Sequence, residues 1–137
     1  MKRLLVIAAL MANAAYAETT VGLDLASYHD TPGFNNTNPG AYVVFGDSTG
    51  SGPAIGSYLN SLNKQTNWVG YVSEARSNKV SVDLLFGIAT GYKDNAVPML
   101  VPSISYDVGN HNSVRLHYIP NLFDTPNVLH LSVEHRF

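Results

Sequence analysis

Leu129-His130-Leu131-Ser132-Val133-Glu134-His135-Arg136-Phe137 is the stretch on which the fold turns. Leu129, Leu131, Val133 and Phe137 alternate with His130, Ser132, Glu134 and Arg136. Successive side chains of a strand point to opposite faces, so this pattern gives one apolar and one polar face. Upstream, Val80, Val82, Leu84, Phe86 and Ile88 oppose Ser81, Asp83, Gly87 and Ala89, with Leu85 as the apolar exception. Leu100, Pro102, Ile104 and Tyr106 likewise oppose Val101, Ser103, Ser105 and Asp107. A soluble antiparallel sheet also alternates. Here, however, the groups opposite the apolar face are small or able to pair, as a narrow, filled barrel lumen requires.

Eight such runs are read, roughly Thr19–His29, Gly40–Gly46, Pro53–Leu62, Asn67–Ala75, Lys79–Tyr92, Pro98–Val108, Ser113–Pro120 and Asn127–Phe137. None sustains a helical repeat, and turn residues separate them. The expectation is an all-β fold, an eight-stranded antiparallel transmembrane β-barrel over residues 18–137. Residues 1–17 read as a signal peptide: Lys2 and Arg3, an apolar stretch from Leu4 to Met11, then Ala15-Tyr16-Ala17. The apolar stretch is too short to span a bilayer as a helix.

Composition agrees with this reading. Charged residues make up 13% of the chain, against roughly 25% in an average soluble domain. With Lys2 and Arg3 in the leader, six of the eight basic residues remain against ten acidic ones. Nucleic acid is therefore not an expected partner. There is no cysteine, so disulfides cannot stabilise a domain this small. Closure in a membrane can, because it pairs every backbone polar group. The aromatic Phe137 directly after the last strand looks like the ending of bacterial outer-membrane proteins, and Tyr42, Tyr58, Trp68, Tyr71, Tyr92, Tyr106 and Tyr118 suit interfacial girdles. Such a barrel would expose Asp30–Pro39, Asn63–Thr66, Lys93–Val97 and Asn121–Pro126 outside the cell. Its short turns, Asp47–Gly52, Arg76–Asn78 and Gly109–Asn112, would face the periplasm.

Candidate chemistry is sparse. His130, Ser132 and Glu134 share a face, but alternate strand positions lie about 6.8 Å apart, too far for a nucleophile and its base. A paired polar lumen with Asp24, Glu74, Asp83, Arg115 and His117 is the plainer reading, since buried charges must pair. No histidine pair has His-x-x-x-His or comparable ligand spacing backed by carboxylates, and no metal or cofactor is expected. Asp47-Ser48-Thr49-Gly50-Ser51-Gly52 lacks a lysine and a following helix, so it reads as a turn. What remains is His29 with Asn60-Ser61 at the same rim. By position alone such a pair is incidental more often than catalytic.

Tyr28-His29, Phe34-Asn35-Asn36, Pro39-Gly40, Tyr58-Leu59-Asn60-Ser61-Leu62-Asn63-Lys64, Gly70-Tyr71, Phe86-Gly87-Ile88-Ala89-Thr90, Pro98-Met99-Leu100-Val101-Pro102, Tyr118-Ile119-Pro120 and Arg136-Phe137 follow one another in a telling order. In that order and spacing the chain resembles the PagP-type lipid A palmitoyltransferases of Gram-negative outer membranes. The resemblance implies transfer of a palmitoyl or shorter acyl chain from a phospholipid to lipid A by a monomer in the outer membrane. It implies His29 as general base and Ser61 as the hydroxyl-bearing partner. The family's aspartate falls on Asn60, which can orient a partner but carries no charge. The glycine floor of the family's acyl pocket falls on Val72, and the prolines that admit lipid sideways fall on Pro98, Pro102 and Pro120. The family's leading helix has no counterpart, for Glu18-Thr19-Thr20 runs straight into the first strand.

Two readings stay open: a lipid A acyltransferase, and a non-catalytic barrel that modifies the cell surface or binds envelope ligands. Strict alternation would set His29 beside Val21, Leu23 and Leu25, and Ser61 beside Ile55 and Leu59, both facing lipid. A bulge near the rim would turn them inward.

Overall fold

The computed structural model describes residues 17–92, 95–121 and 126–137. The expected leader, Ala17 apart, lies outside the described residues, as do parts of the third and fourth expected external segments. The chain forms eight strands: β1 Glu18–His29, β2 Thr37–Gly46, β3 Gly52–Leu59, β4 Gln65–Ser77, β5 Val80–Ala89, β6 Val97–Asp107, β7 Asn112–Ile119 and β8 Val128–Arg136. Each pairs antiparallel with its sequence neighbour, and β1 pairs with β8, closing the barrel. Closure leaves no strand edge unpaired by topology.

The two faces differ as the alternation requires. Leu23, Val82, Leu84, Phe86, Ile88, Leu100, Ile104, Leu116 and Leu131 form an exposed apolar outer belt. Asp24, Ser81, Ser103, Ser105, Arg115, His130, Ser132 and Glu134 are buried inside. A water-soluble protein places these sets the other way round. A membrane barrel places them this way. Large rings fit in so narrow a lumen because glycines face them. A Cβ on Gly22 would lie 2.1 Å from the Tyr42 ring, and one on Gly56 would lie 2.5 Å from Trp68.

Several strand limits differ from the sequence reading, each for a local reason. β3 stops at Leu59 rather than Leu62, because the Asn60 side chain accepts the backbone N–H groups of Leu62 and Lys64 and bends the chain. β2 starts at Thr37, upstream of Pro39, but its ladder with β3 begins only at Gly40–Tyr58. The fourth strand runs on to Ser77, so the next turn is Asn78-Lys79, with Asn78 at φ 53°.

The feature that positions the site is in β1. Pairing with β8 runs Asp24–Ser132, then Ala26–Leu131, then Ser27–His130, so Leu25 is an extra residue. Leu25 and Ala26 are consecutively exposed. Before this bulge the even-numbered residues face the lumen; after it the odd-numbered ones do, as expected when two residues oppose one. His29 is thereby turned inward.

Candidate functional site

The strand ends at His29, Thr37, Leu59, Gln65, Ala89, Val97, Ile119 and Val128 share one end of the barrel, here called the loop end. His29, the last residue of β1, is buried there at 7% exposure. Its Nε2 lies 2.5 Å from Ser61 Oγ, and its Nδ1 lies 2.5 Å from Asn36 Oδ1. An amide oxygen only accepts. Nδ1 therefore donates to Asn36, and Nε2 is left as the acceptor for the Ser61 hydroxyl. This is the order of a serine, its base and a group that holds the base in one tautomer. Phe34 stacks on the imidazole with ring centroids 5.6 Å apart. The two loops are tied together where Asn35 N–H donates to the Ser61 carbonyl at 3.1 Å. Ser61 owes its position to the turn that ends β3, so strand parity does not govern it.

Asn60, expected to orient this pair, does something else. Its Oδ1 accepts from Leu62 and Lys64, and its Nδ2 donates to Thr66 Oγ1 at 3.0 Å and the Gly91 carbonyl at 2.9 Å. All its hydrogen-bonding capacity goes to pinning the loop, and the orienting position is held by Asn36. Asp30 is exposed and accepts from Asn127 Nδ2 at 2.9 Å and from Thr31 Oγ1, so it does not turn toward the imidazole.

Pro98 and Pro102 lie on the outer face of β6. The ladder from β5 to β6 is continuous from Val80–Tyr106 to Ala89–Val97. That from β6 to β7 runs only from Asp107–Ser113 to Ser103–His117. Pro98 and Pro102 share strand parity, so their missing N–H donors face the same neighbour. With the β5 side intact, that neighbour is β7. Toward the loop end the wall between β6 and β7 thus lacks ladder pairs, and Pro120 follows the end of β7.

Val72 is buried in the lumen wall, opposite Leu85 in register. The cavity it lines, with Tyr42, Trp68, Leu85 and Val101 on the apolar side, measures about 60 Å³. Its other side is charged. Arg115, 4% exposed, donates to Glu134 at 2.7 Å, to Ser103 Oγ at 2.9 Å and to Asp83. Glu134 also accepts from Tyr42 at 2.7 Å and from Ser113 at 3.0 Å. Arg76 joins Glu74 to Glu18 toward the opposite end. The expected polar lumen is present, and it lies beneath the site beside this cavity. Ser132 bonds Tyr42 and His117 rather than His130 or Glu134.

The sequence reading missed Asn36 and the link between Ser27 and His130. The signal for both was the turn-rich segment after His29 and the possibility of a bulge before it.

No protein-family model matches the sequence, and no curated protein does. Among solved structures, the chain is similar to the outer-membrane protein Ail of Yersinia pestis, determined in a phospholipid bilayer nanodisc. The TM-score is 0.54 at 10% identity, covering 88% of this chain and 99% of that one. The fold is thus that of an eight-stranded outer-membrane barrel.

Proposed function

We propose that this barrel sits in the outer membrane of a Gram-negative bacterium and transfers an acyl chain from a phospholipid to lipid A, working as a monomer. His29 is the general base, Ser61 the hydroxyl it activates, and Asn36 the residue that orients the imidazole. The observation that carries the reading is the Asn36–His29–Ser61 hydrogen-bond chain at the loop end, with His29 buried at its centre. A proton on Nδ1 is held by Asn36, so Nε2 is free to take the Ser61 proton as its oxygen attacks an ester carbonyl. The exposed apolar belt supports insertion in a bilayer, with the loop end at the outer leaflet. The gap beside Pro98, Pro102 and Pro120 supports lateral entry of an acyl chain.

A specific observation favours the non-catalytic alternative. The lumen cavity at Val72, about 60 Å³, is less than half of a roughly 150 Å³ cavity that admits benzene, and the Arg115 cluster lies against it. In the acyltransferase reading the chain therefore lies in the β6–β7 gap, and a shorter acyl group is favoured over palmitate.

Mass spectrometry of lipid A from an acyltransferase-deficient strain expressing the protein tests the choice. The expected result is one added acyl chain, lost in both His29→Ala and Ser61→Ala with the barrel still inserted. Unaltered lipid A in cells holding the folded wild-type protein would sink the enzyme and leave the scaffold.

A further inference from the structure

The bulge at Leu25 has a second effect. It brings Asp24 and Ser27, three positions apart and on opposite faces of any regular strand, to the same lumenal side. Between them stands one imidazole. His130, directly across the ladder from Ser27, lies with Nδ1 at 2.7 Å from Ser27 Oγ and Nε2 at 2.9 Å from Asp24 Oδ1. Asp24 and His130 are buried, at 7% and 6% exposure. A carboxylate accepts only, so Nε2 donates to Asp24, and Nδ1 is left to receive the Ser27 proton. This is a serine, base and carboxylate chain drawn from two strands.

The chain opens on a space. Ser27 and His130 line a cavity of about 20 Å³ together with Ser61, Asn38 and Tyr58. A pocket needs roughly 10–15 Å³ to accept a water-sized group, so the space takes a hydroxyl, and the acyl chain of an ester attacked here has to lie outside it. Asn38, 2% exposed, donates from Nδ2 to the Leu59 carbonyl at 3.0 Å, while its buried Oδ1 has no hydrogen-bond partner. The Leu59 carbonyl fixes the amide's orientation, because a flipped amide would set two oxygens together. Asn38, one of the residues around the cavity, thus keeps an unused acceptor that is itself enclosed.

We propose that Ser27 is a nucleophile that takes an acyl group from a carboxylic ester of a membrane lipid, with His130 as its base and Asp24 as the residue that positions His130. Ser27 Oγ attacks the ester carbonyl carbon as its proton passes to His130 Nδ1. The ester C–O bond breaks, and the leaving alkoxide takes that proton, giving acyl-Ser27 and an alcohol. An acceptor hydroxyl, or water, then gives its proton to His130 and attacks the acyl carbon. The Ser27 Oγ–carbon bond breaks, and Oγ recovers the proton. The proposal rests on the loop end being an acyl-ester site. It adds a covalent stage on a different serine, beside the cavity that Ser61 shares.

The test is labelling of the folded full-length protein in lipid vesicles with an alkyl fluorophosphonate, which forms a stable ester with an activated serine. Adducts are located by tandem mass spectrometry. The expected result is an adduct on Ser27 that persists in Ser61→Ala and forms at least about a hundredfold more slowly in His130→Gln. An adduct on Ser27 alongside one on Ser61 gives the same support. An adduct on Ser61 alone overturns the inference while favouring the His29 site. An unlabelled protein, beside a serine hydrolase that labels fully, also overturns it. Labelled Ser27 with unaltered lipid A would retain this inference and remove lipid A as the acceptor, so the two failures are distinguishable.

Discussion

The two halves of the lumen are built from different chemistry. Toward the turn end, Arg115 and Arg76 are wrapped by Glu74, Asp83, Glu134 and Glu18, and Ser103, Ser113 and Tyr42 complete the hydrogen bonds. Toward the loop end two of the lumenal histidines, His29 and His130, each stand between a serine and an oxygen acceptor, and Ser27, Ser61 and His130 line one small cavity. The first arrangement pairs its charges with one another, although the Ser81 and Ser105 hydroxyls beside it have no partner. The second sets serine hydroxyls against imidazole bases. One barrel has separated what keeps it closed from what can react, and each half can be challenged alone.

The largest effect is expected from the turn-end half. Arg115→Ala would leave Glu74, Asp83 and Glu134 buried without their shared cation. Removing one partner of a buried ion cluster costs about 3–5 kcal/mol. Denaturant unfolding in one detergent should show a loss of that size, with the residual folded protein keeping its reactive serines. A wild-type unfolding midpoint would mean that the cluster is not what holds this half together.

Next come the two asparagines, which separate the roles of structure and chemistry within the loop end. Asn60→Ala removes the acceptor of two backbone N–H groups and the donor to Thr66 and Gly91. Leaving buried groups unpaired costs about 1–3 kcal/mol, so this variant should lose stability. Asn36 is exposed, and Asn36→Ala should stay within about 0.5 kcal/mol of wild type. Its acyl-transfer rate should fall on the order of a hundredfold, since the imidazole loses the contact that aims it. Asn36→Asp, which keeps the acceptor, should restore most of the rate. Equal stability losses in both alanine variants, with equal rates, would erase the distinction.

These asparagines also show what sequence could reveal. The strand number and the lumenal placement of Asp24, Asp83, Arg115 and Glu134 were legible, because a period of two sorts side chains to faces and buried charges need partners. The face of His29 was not. A one-residue bulge reverses parity, and Leu25 carries no mark that distinguishes it from Leu23. Asn60 drew notice because it adjoins Ser61 in sequence, yet the imidazole finds Asn36 through a loop folding back on the strand it follows. On its own strand His130 neighbours Ser132 and Glu134, and a strand's rise keeps such groups apart. Its partners came from β1, and cross-strand register is not written in either strand alone.

The smallest effect belongs to the turn that joins β2 to β3. Asp47 accepts from Thr49 N–H at 2.8 Å, Thr49 Oγ1 at 2.6 Å and Ser51 N–H at 3.2 Å. The Thr49 hydroxyl, then its backbone N–H, hold the Asp47 carboxyl below its ordinary value of 3.8. A group whose folded value is depressed adds stability above its unfolded value and loses it as pH falls through the folded one. Asp47→Ala should therefore lower the unfolding midpoint slightly at neutral pH, and the gap to wild type should close as the pH drops below 3.8. The side chain is fully exposed, so solvent keeps the effect small. A gap that persists unchanged under acid would assign the turn's stability to its backbone bonds, Asp47 N–H to the Ser51 carbonyl and Gly50 N–H to the Asp47 carbonyl. A gap that closes assigns it to the carboxylate, and the turn end then relies on charge at its surface as it does in its lumen.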